Sequence, residues 1–238
     1  MTDRWLRAAA RNNAEWCDAM CRAHDMPGTF TETFWSNPRR TPVLYPDAVT
    51  LTPAASAGEV LDAIDLSSPE PSVKDGFARL DLRDAGFRVL FEARWIMRPP
   101  GPGSSSDDLR AVTGDPITWS TITTEPDLRD WDTNLHGGYE EVLFPPGLLA
   151  DPTVTLLAGR IDGDIVCGSA LNTSDEVLGV SNVFASGCDI DAAWEGTVTM
   201  ASALYPTRPM VGYERPDDLE APLQQGFTPI GPLRIWLR

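Results

Sequence analysis

Apolar and polar residues alternate most regularly in the last third of the chain, and the breaks between the runs read as turns. Val154 to Ile161 and Ile165 to Leu171 are β-prone runs separated by Asp162-Gly163, a two-residue turn of the kind that needs positive φ, so a hairpin is predicted. Asn172-Thr173-Ser174-Asp175 makes a further turn and Val177 to Phe184 a third strand, completing a meander of three antiparallel strands. Asp191 to Leu204 has the spacing of a helix, closed by Pro206 and Pro209. Met210 to Tyr213 is a short apolar strand predicted to lie parallel to the end of the third meander strand. Pro216-Asp217-Asp218 opens another helix, with Leu219 and Leu223 as its apolar stripe and Gly226 as its stop. Phe227 to Leu237 is extended, and Pro229 and Pro232 assign it to a sheet edge or a bulge.

The N-terminal half is less regular. Residues 3 to 25 read as an amphipathic helix whose apolar face carries Trp5, Leu6, Ala9, Trp16, Cys17 and Met20. Phe30 to Tyr45 is an aromatic, proline-broken stretch in which Phe34 to Arg40 forms either a substrate lip or, the favoured reading, a loop whose rings cap a core. Ala48 to Leu51 is a strand, and Ser56 to Asp65 a helix with Ser56 and Glu59 spaced as a capping box. Leu80 to Ala85 reads as a leucine-bearing helix, followed by Gly86-Phe87 and a strand from Arg88 to Arg98. This order repeats that of Leu219 to Arg238, about 140 residues later, too far apart for a solenoid. Either one α+β unit has a partial second copy, or Gly-Phe is an ordinary helix stop in both places. Pro99 to Ser106 is the strongest punctuation, which divides the chain into residues 1–98, a linker 99–108, and 109–238. Beyond it come an extended run, Ile117 to Thr123, and a helix, Glu125 to Leu135, carrying Leu128, Trp131 and Leu135 and stopped by Gly137-Gly138.

Charge narrows the class of partner. Asp and Glu outnumber Lys and Arg by 35 to 19, for a formal charge of −16, which argues against nucleic acid and favours a cationic ligand or plain solubility. The first residues lack an apolar leader and no stretch is long enough to span a bilayer, so a cytoplasmic chain with its four cysteines as thiols is expected. Cys17, Cys21 and His24 share a helix face, but without a fourth ligand no metal site is expected. Two histidines give no Ser-His-Asp order, and Gly179-Val180-Ser181-Asn182-Val183 lacks the second glycine of a nucleophile elbow.

The order from Trp119 onward is strand, helix, three-strand meander, helix, strand, helix, strand. With the Gly159-to-Gly168 hairpin, the helix after Phe184 and Leu223-Gln224-Gln225-Gly226-Phe227 near the end, this resembles the GCN5-related N-acetyltransferase (GNAT) superfamily over roughly the last 120 to 140 residues. The resemblance implies an α+β fold with a mixed sheet, a partial GNAT-like copy in the N-terminal half, and acetyl-CoA as cosubstrate in a cleft where the third meander strand and the next strand splay apart. Val183, Phe184, Ala185, Gly187 and Cys188 are then the cofactor-binding stretch, with the pyrophosphate at the helix N-terminus. Ser181 and Asn182 line the substrate cleft, and the acceptor is a small-molecule or peptide amine, expected to be cationic. The chain departs from the family in two places. The Gln/Arg-x-x-Gly-x-Gly/Ala loop is replaced by Ala185-Ser186-Gly187-Cys188-Asp189-Ile190-Asp191, whose aspartates cap helices well and neighbour phosphates poorly. The usual catalytic tyrosine position holds Pro222, so Tyr213 and Glu214 are the nearest catalytic substitutes. A GNAT-like interaction module without catalysis is the alternative.

Overall fold

The computed structural model describes residues 2–105, 109–111, 114–137 and 142–238; Gly138 and residues 106–108 of the linker lie outside them. The chain forms two compact units that do not follow sequence order. The first contains Met1–Ile96, Tyr213–Asp218 and Pro229–Arg238, and the second Met97–Gly212 and Leu219–Thr228.

The first unit begins with α1 (Thr2–Ala23), whose inner face holds Ala9, Trp16, Cys17, Met20 and Cys21. Short strands β1 (Thr29–Phe30), β2 (Phe34–Ser36), β3 (Ala48–Thr50) and β4 (Ser72–Asp75) follow, interrupted by α2 (Ala57–Asp62). Ser56 caps α2 as its spacing predicts, accepting the Glu59 N–H and donating to the Glu59 carboxylate. The aromatic stretch contributes β2 itself, with Trp35 fully buried and its indole N–H donated to Asp18. Strand β3 pairs antiparallel with β2 and parallel with β4.

Two expectations are corrected in this unit. Leu80 to Ala85 is not an α-helix: it is irregular and closes in one 3-10 turn, Arg83–Ala85. Leu80 and Leu82 are both buried although only two residues apart, a spacing that one face of a helix does not bring together. The last strand, β11 (Thr228–Leu237), is not an edge: it lies between β4 and β5 (Arg88–Arg98). Its ladder with β4 uses only Arg234 to Leu237, beyond both prolines, so neither removes one of those hydrogen bonds. Trp236 thereby enters a core with Phe34, Val60, Val73, Leu82 and Phe87.

In the second unit, β6 (Thr118–Thr121), β7 (Val154–Ile161), β8 (Asp164–Thr173) and β9 (Leu178–Ala185) are successive antiparallel neighbours. The hairpin turn is as predicted, with Asp162 at φ 52° and Gly163 at φ 97°. Helix α3 (Glu125–His136) buries Leu128 and Trp131, whose indole N–H is donated to the Leu157 carbonyl, and Gly137 ends it at φ 66°. Helix α4 (Ile190–Leu204) follows β9. Strand β10 (Met210–Glu214) returns parallel to β9, as expected. Helix α5 is shorter than expected, Glu220–Gln224 after a 3-10 turn at Pro216–Asp218. Its buried residues are Ala221 and Pro222, while Leu223 faces solvent, so the predicted leucine stripe is not its packed face.

The Gly-Phe echo has a local counterpart. Gly86 and Gly226 sit at φ 85° and 84°, and Phe87 and Phe227 each donate their N–H to the carbonyl five residues back. In the first unit the Arg238 side chain lies beside Gly86; in the second the Arg98 side chain lies beside Gly226 and donates to the Gln225 carbonyl.

Candidate functional site

The β9–β10 ladder stops almost as soon as it starts. Only Met210↔Leu178 and Val211↔Gly179 are paired, so Val180 and Gly212, next along each strand, leave the register. On the other side of β9 the ladder with β8 is interrupted too. Ala170 faces Ser181 and Gly168 faces Phe184, which sets Asn182 and Val183 against the single residue Ser169. This is a β-bulge, and Asn182 adopts φ 51° within it. Such a backbone costs about 1–3 kcal/mol for a non-glycine residue, and bulges of this type free backbone groups from the ladder and re-aim the chain. Ser181 and Asn182 are half-buried at this kink, with the Asn182 amide donated to the Ser181 hydroxyl.

Beyond the bulge the chain enters α4. Phe184 is buried edge-on against Trp131, ring centroids 5.3 Å apart, so it offers a ligand only its backbone. Ser186 and Gly187 donate both their N–H groups to the Val166 carbonyl at 2.8 and 2.9 Å, folding the turn back over β8. Asp189 caps α4 by accepting the Ala192 N–H at 2.8 Å. The helix entrance therefore already holds a carboxylate, and two amides of the preceding turn are engaged. Cys188 lies half-buried there, its thiol held below the usual range by the neighbouring Cys167, while Cys188 in turn, and after it burial, pushes Cys167 up.

Tyr213 and Glu214, at the end of β10, belong to the first unit. The Tyr213 hydroxyl accepts from the Lys74 ammonium at 3.2 Å, and that ammonium also lies 4.4 Å from the centre of the Tyr213 ring. Trp95 packs edge-on against the same ring at 5.6 Å. Lys74, the chain's one lysine, is 4% exposed and donates to Asn13 at 2.8 Å. Sequence reasoning did not mark it, because all four residues of β4 are buried and three of them are polar, which hides the strand. Glu214 is pushed up to about 8, first by burial and then by the Asp218 carboxylate, against the partial relief of Arg215. A carboxyl in that range exchanges a proton near neutral pH.

Solved structures share this fold along nearly the whole chain. A GCN5-related N-acetyltransferase from Kribbella flavida superposes with TM-score 0.64 at 15% identity, over 96% of this chain and 95% of that one. The chain has the GCN5-related N-acetyltransferase fold. A GNAT-family protein from Novosphingobium aromaticivorans matches with TM-score 0.57 at 12% identity, over 93% and 94% of the two chains. A GCN5-related N-acetyltransferase-like protein from Streptococcus suis matches with TM-score 0.50 at 10% identity over both full lengths. No protein-family model matches the sequence, and no curated protein does. The GNAT likeness is thus carried by strand order and backbone shape, and it extends beyond the last 140 residues to the N-terminal half. Among the described residues no helix is long and apolar enough to cross a membrane, and no cluster of three metal-ligating side chains occurs.

Proposed function

We propose that the chain is an acyl-CoA-dependent N-acyltransferase of the GNAT superfamily, working in the cytoplasm on an amine. The observation that carries this reading is the bulge at Asn182–Val183 beside a parallel ladder that ends after two pairs. Backbone N–H groups released from a ladder are fixed donors that need no reorganisation, which is what a thioester carbonyl requires as negative charge develops on its oxygen. Acetyl-CoA supplies the activated acyl group. Glu214, ionised above about pH 8, accepts the proton from the substrate ammonium, and the free amine then has the lone pair to attack the carbonyl carbon. The Tyr213 hydroxyl, held beside the Lys74 ammonium, is the group we assign to protonate the departing thiolate. Each role is assigned from that residue's own surroundings.

The α4 entrance favours a second reading, a GNAT-fold interaction module. Asp189 occupies the cap and the Ser186 and Gly187 amides are spent on Val166, which fits a pyrophosphate poorly. A carboxylate about 6 Å from a phosphate charge costs roughly 3 kcal/mol at an effective dielectric of about 20 before screening, equivalent to about a hundredfold in binding. Calorimetry decides between the readings. The acyltransferase binds acetyl-CoA in the micromolar range, and the Asp189→Asn, Asp191→Asn double variant binds it more tightly. Undetectable binding in both proteins replaces the enzyme with the module.

A further inference from the structure

We propose that Cys167 and Cys188 form a reversible intramolecular disulfide that locks the turn between β9 and α4. Cys167 is fully buried on β8, opposite Ala185 of β9. Because Ser186 and Gly187 both bind the carbonyl of Val166, the residue before Cys167, the turn folds back and sets Cys188 over it. The Cys188 sulfur lies 3.8 Å from that same carbonyl, and both cysteines pack in one apolar cluster with Ile117, Ala192 and Ala193. Gly159 leaves the room: a Cβ there would stand 2.5 Å from the Cys167 sulfur.

The four cysteines are not equivalent. Cys17 and Cys21 are 1% and 0% exposed, and burial raises both thiols, Cys21 to about 12. Cys188 alone is half-exposed and held more acidic than an ordinary thiol, so it is the thiolate that meets an oxidant. With glutathione disulfide as oxidant, the Cys188 thiolate attacks one sulfur and releases one glutathione thiolate. Cys167, giving up its proton, then attacks the Cys188 sulfur and expels the second glutathione. Two protein thiols lose two hydrogens, and one glutathione disulfide becomes two glutathiones.

The bond holds the Ser186 and Gly187 amides on β8, away from any ligand at the α4 entrance. Resting on the acyltransferase reading, oxidation therefore weakens acetyl-CoA binding. The test uses the full chain in glutathione redox buffers. No Lys or Arg lies between Arg160 and Arg208, and Arg208 and Arg215 each precede a proline that blocks trypsin, so one tryptic peptide, residues 161–234, carries both cysteines. On oxidation that peptide loses two hydrogens, the titratable thiols of the denatured protein fall from four to two, and reductant reverses both changes. Cys188→Ser abolishes the change, and Cys167→Ala leaves Cys188 as a mixed glutathione disulfide. A peptide that stays reduced, or that carries glutathione in the parent without closing the internal bond, overturns the proposal. Calorimetry on the two forms then reads the consequence, with at least about tenfold weaker acetyl-CoA binding expected when oxidised. If the disulfide forms but neither form binds acetyl-CoA, the acyltransferase reading fails and the disulfide stands; equal binding by both forms overturns the locking role.

Discussion

Replacing Glu214 with Gln should remove a pH dependence of stability whose size follows from the burial of this one carboxyl. Its folded value of about 8 against an ordinary 4.5 is a rise of about 3.5 pH units, equivalent to about 5 kcal/mol at about 1.4 kcal/mol per unit. Glu214 keeps partial access to water, which relaxes part of that penalty, so roughly 2–3 kcal/mol is the expected effect. The sign follows from where the proton is held. Unfolded, the carboxyl releases its proton near 4.5; folded, it keeps it until about 8, so the folded state binds more protons throughout that window. The parent's stability contribution from this group is complete below about 4.5 and is lost as pH rises through 8. Glu214→Gln, which stays neutral, lacks this loss. Urea unfolding at pH 5, 7 and 9 should therefore show the variant gaining roughly 2–3 kcal/mol on the parent from the lowest pH to the highest, with an unchanged slope in denaturant. Parallel pH profiles for the two proteins would refute the argument, because the common titration of every other group cancels in the difference.

Two further outcomes test the packing. Gly168→Ala places a Cβ 2.4 Å from the Trp131 indole nitrogen and 2.6 Å from the Leu157 carbonyl, wedging apart a buried hydrogen bond, and should lower stability by about 1–3 kcal/mol in the same urea assay. Because Lys74 is buried and is the only lysine, an amine-reactive ester should label the native chain solely at its α-amino group and reach Lys74 only after denaturation, as peptide mass mapping would report.

What could be read in advance was whatever is encoded locally. Asp162-Gly163 demands its turn, Asp189 caps α4 from its position alone, and the parallel return of β10 follows from the helix between it and β9. Pairing partners distant in sequence left no such trace. The interior place of β11 depends on Val73 and Lys74 meeting Trp236 and Ile235, and nothing near Pro229 or Pro232 announces it. The Leu80 to Ala85 segment carries leucines compatible with either period, and the joint packing of Leu80 and Leu82, two residues apart, decides against the helix. At the site, the residues of β9 were found but not the kink that gives them meaning, because a bulge is a mismatch between two strands and is visible only when Ser169 and Asn182–Val183 are compared. Lys74 was hidden for a similar reason: a buried ammonium is legible only with Asn13 and Tyr213, 61 and 139 residues away, beside it.

The placement of β11 also sets a timetable for synthesis. The first unit needs Pro229–Arg238, the last residues to be made, to seat Trp236 among residues that left the ribosome long before. At roughly 5–20 residues per second, the stretch from Ile96 to Pro229 takes on the order of 10 s, during which β4 waits without its neighbour and the core around Val73 and Phe87 stays open on one side. The N-terminal unit is begun first and finished last. A ribosome that stalls anywhere before Pro229 releases a nascent chain with an apolar face and a bare strand edge, the combination that chaperones bind and proteases clear.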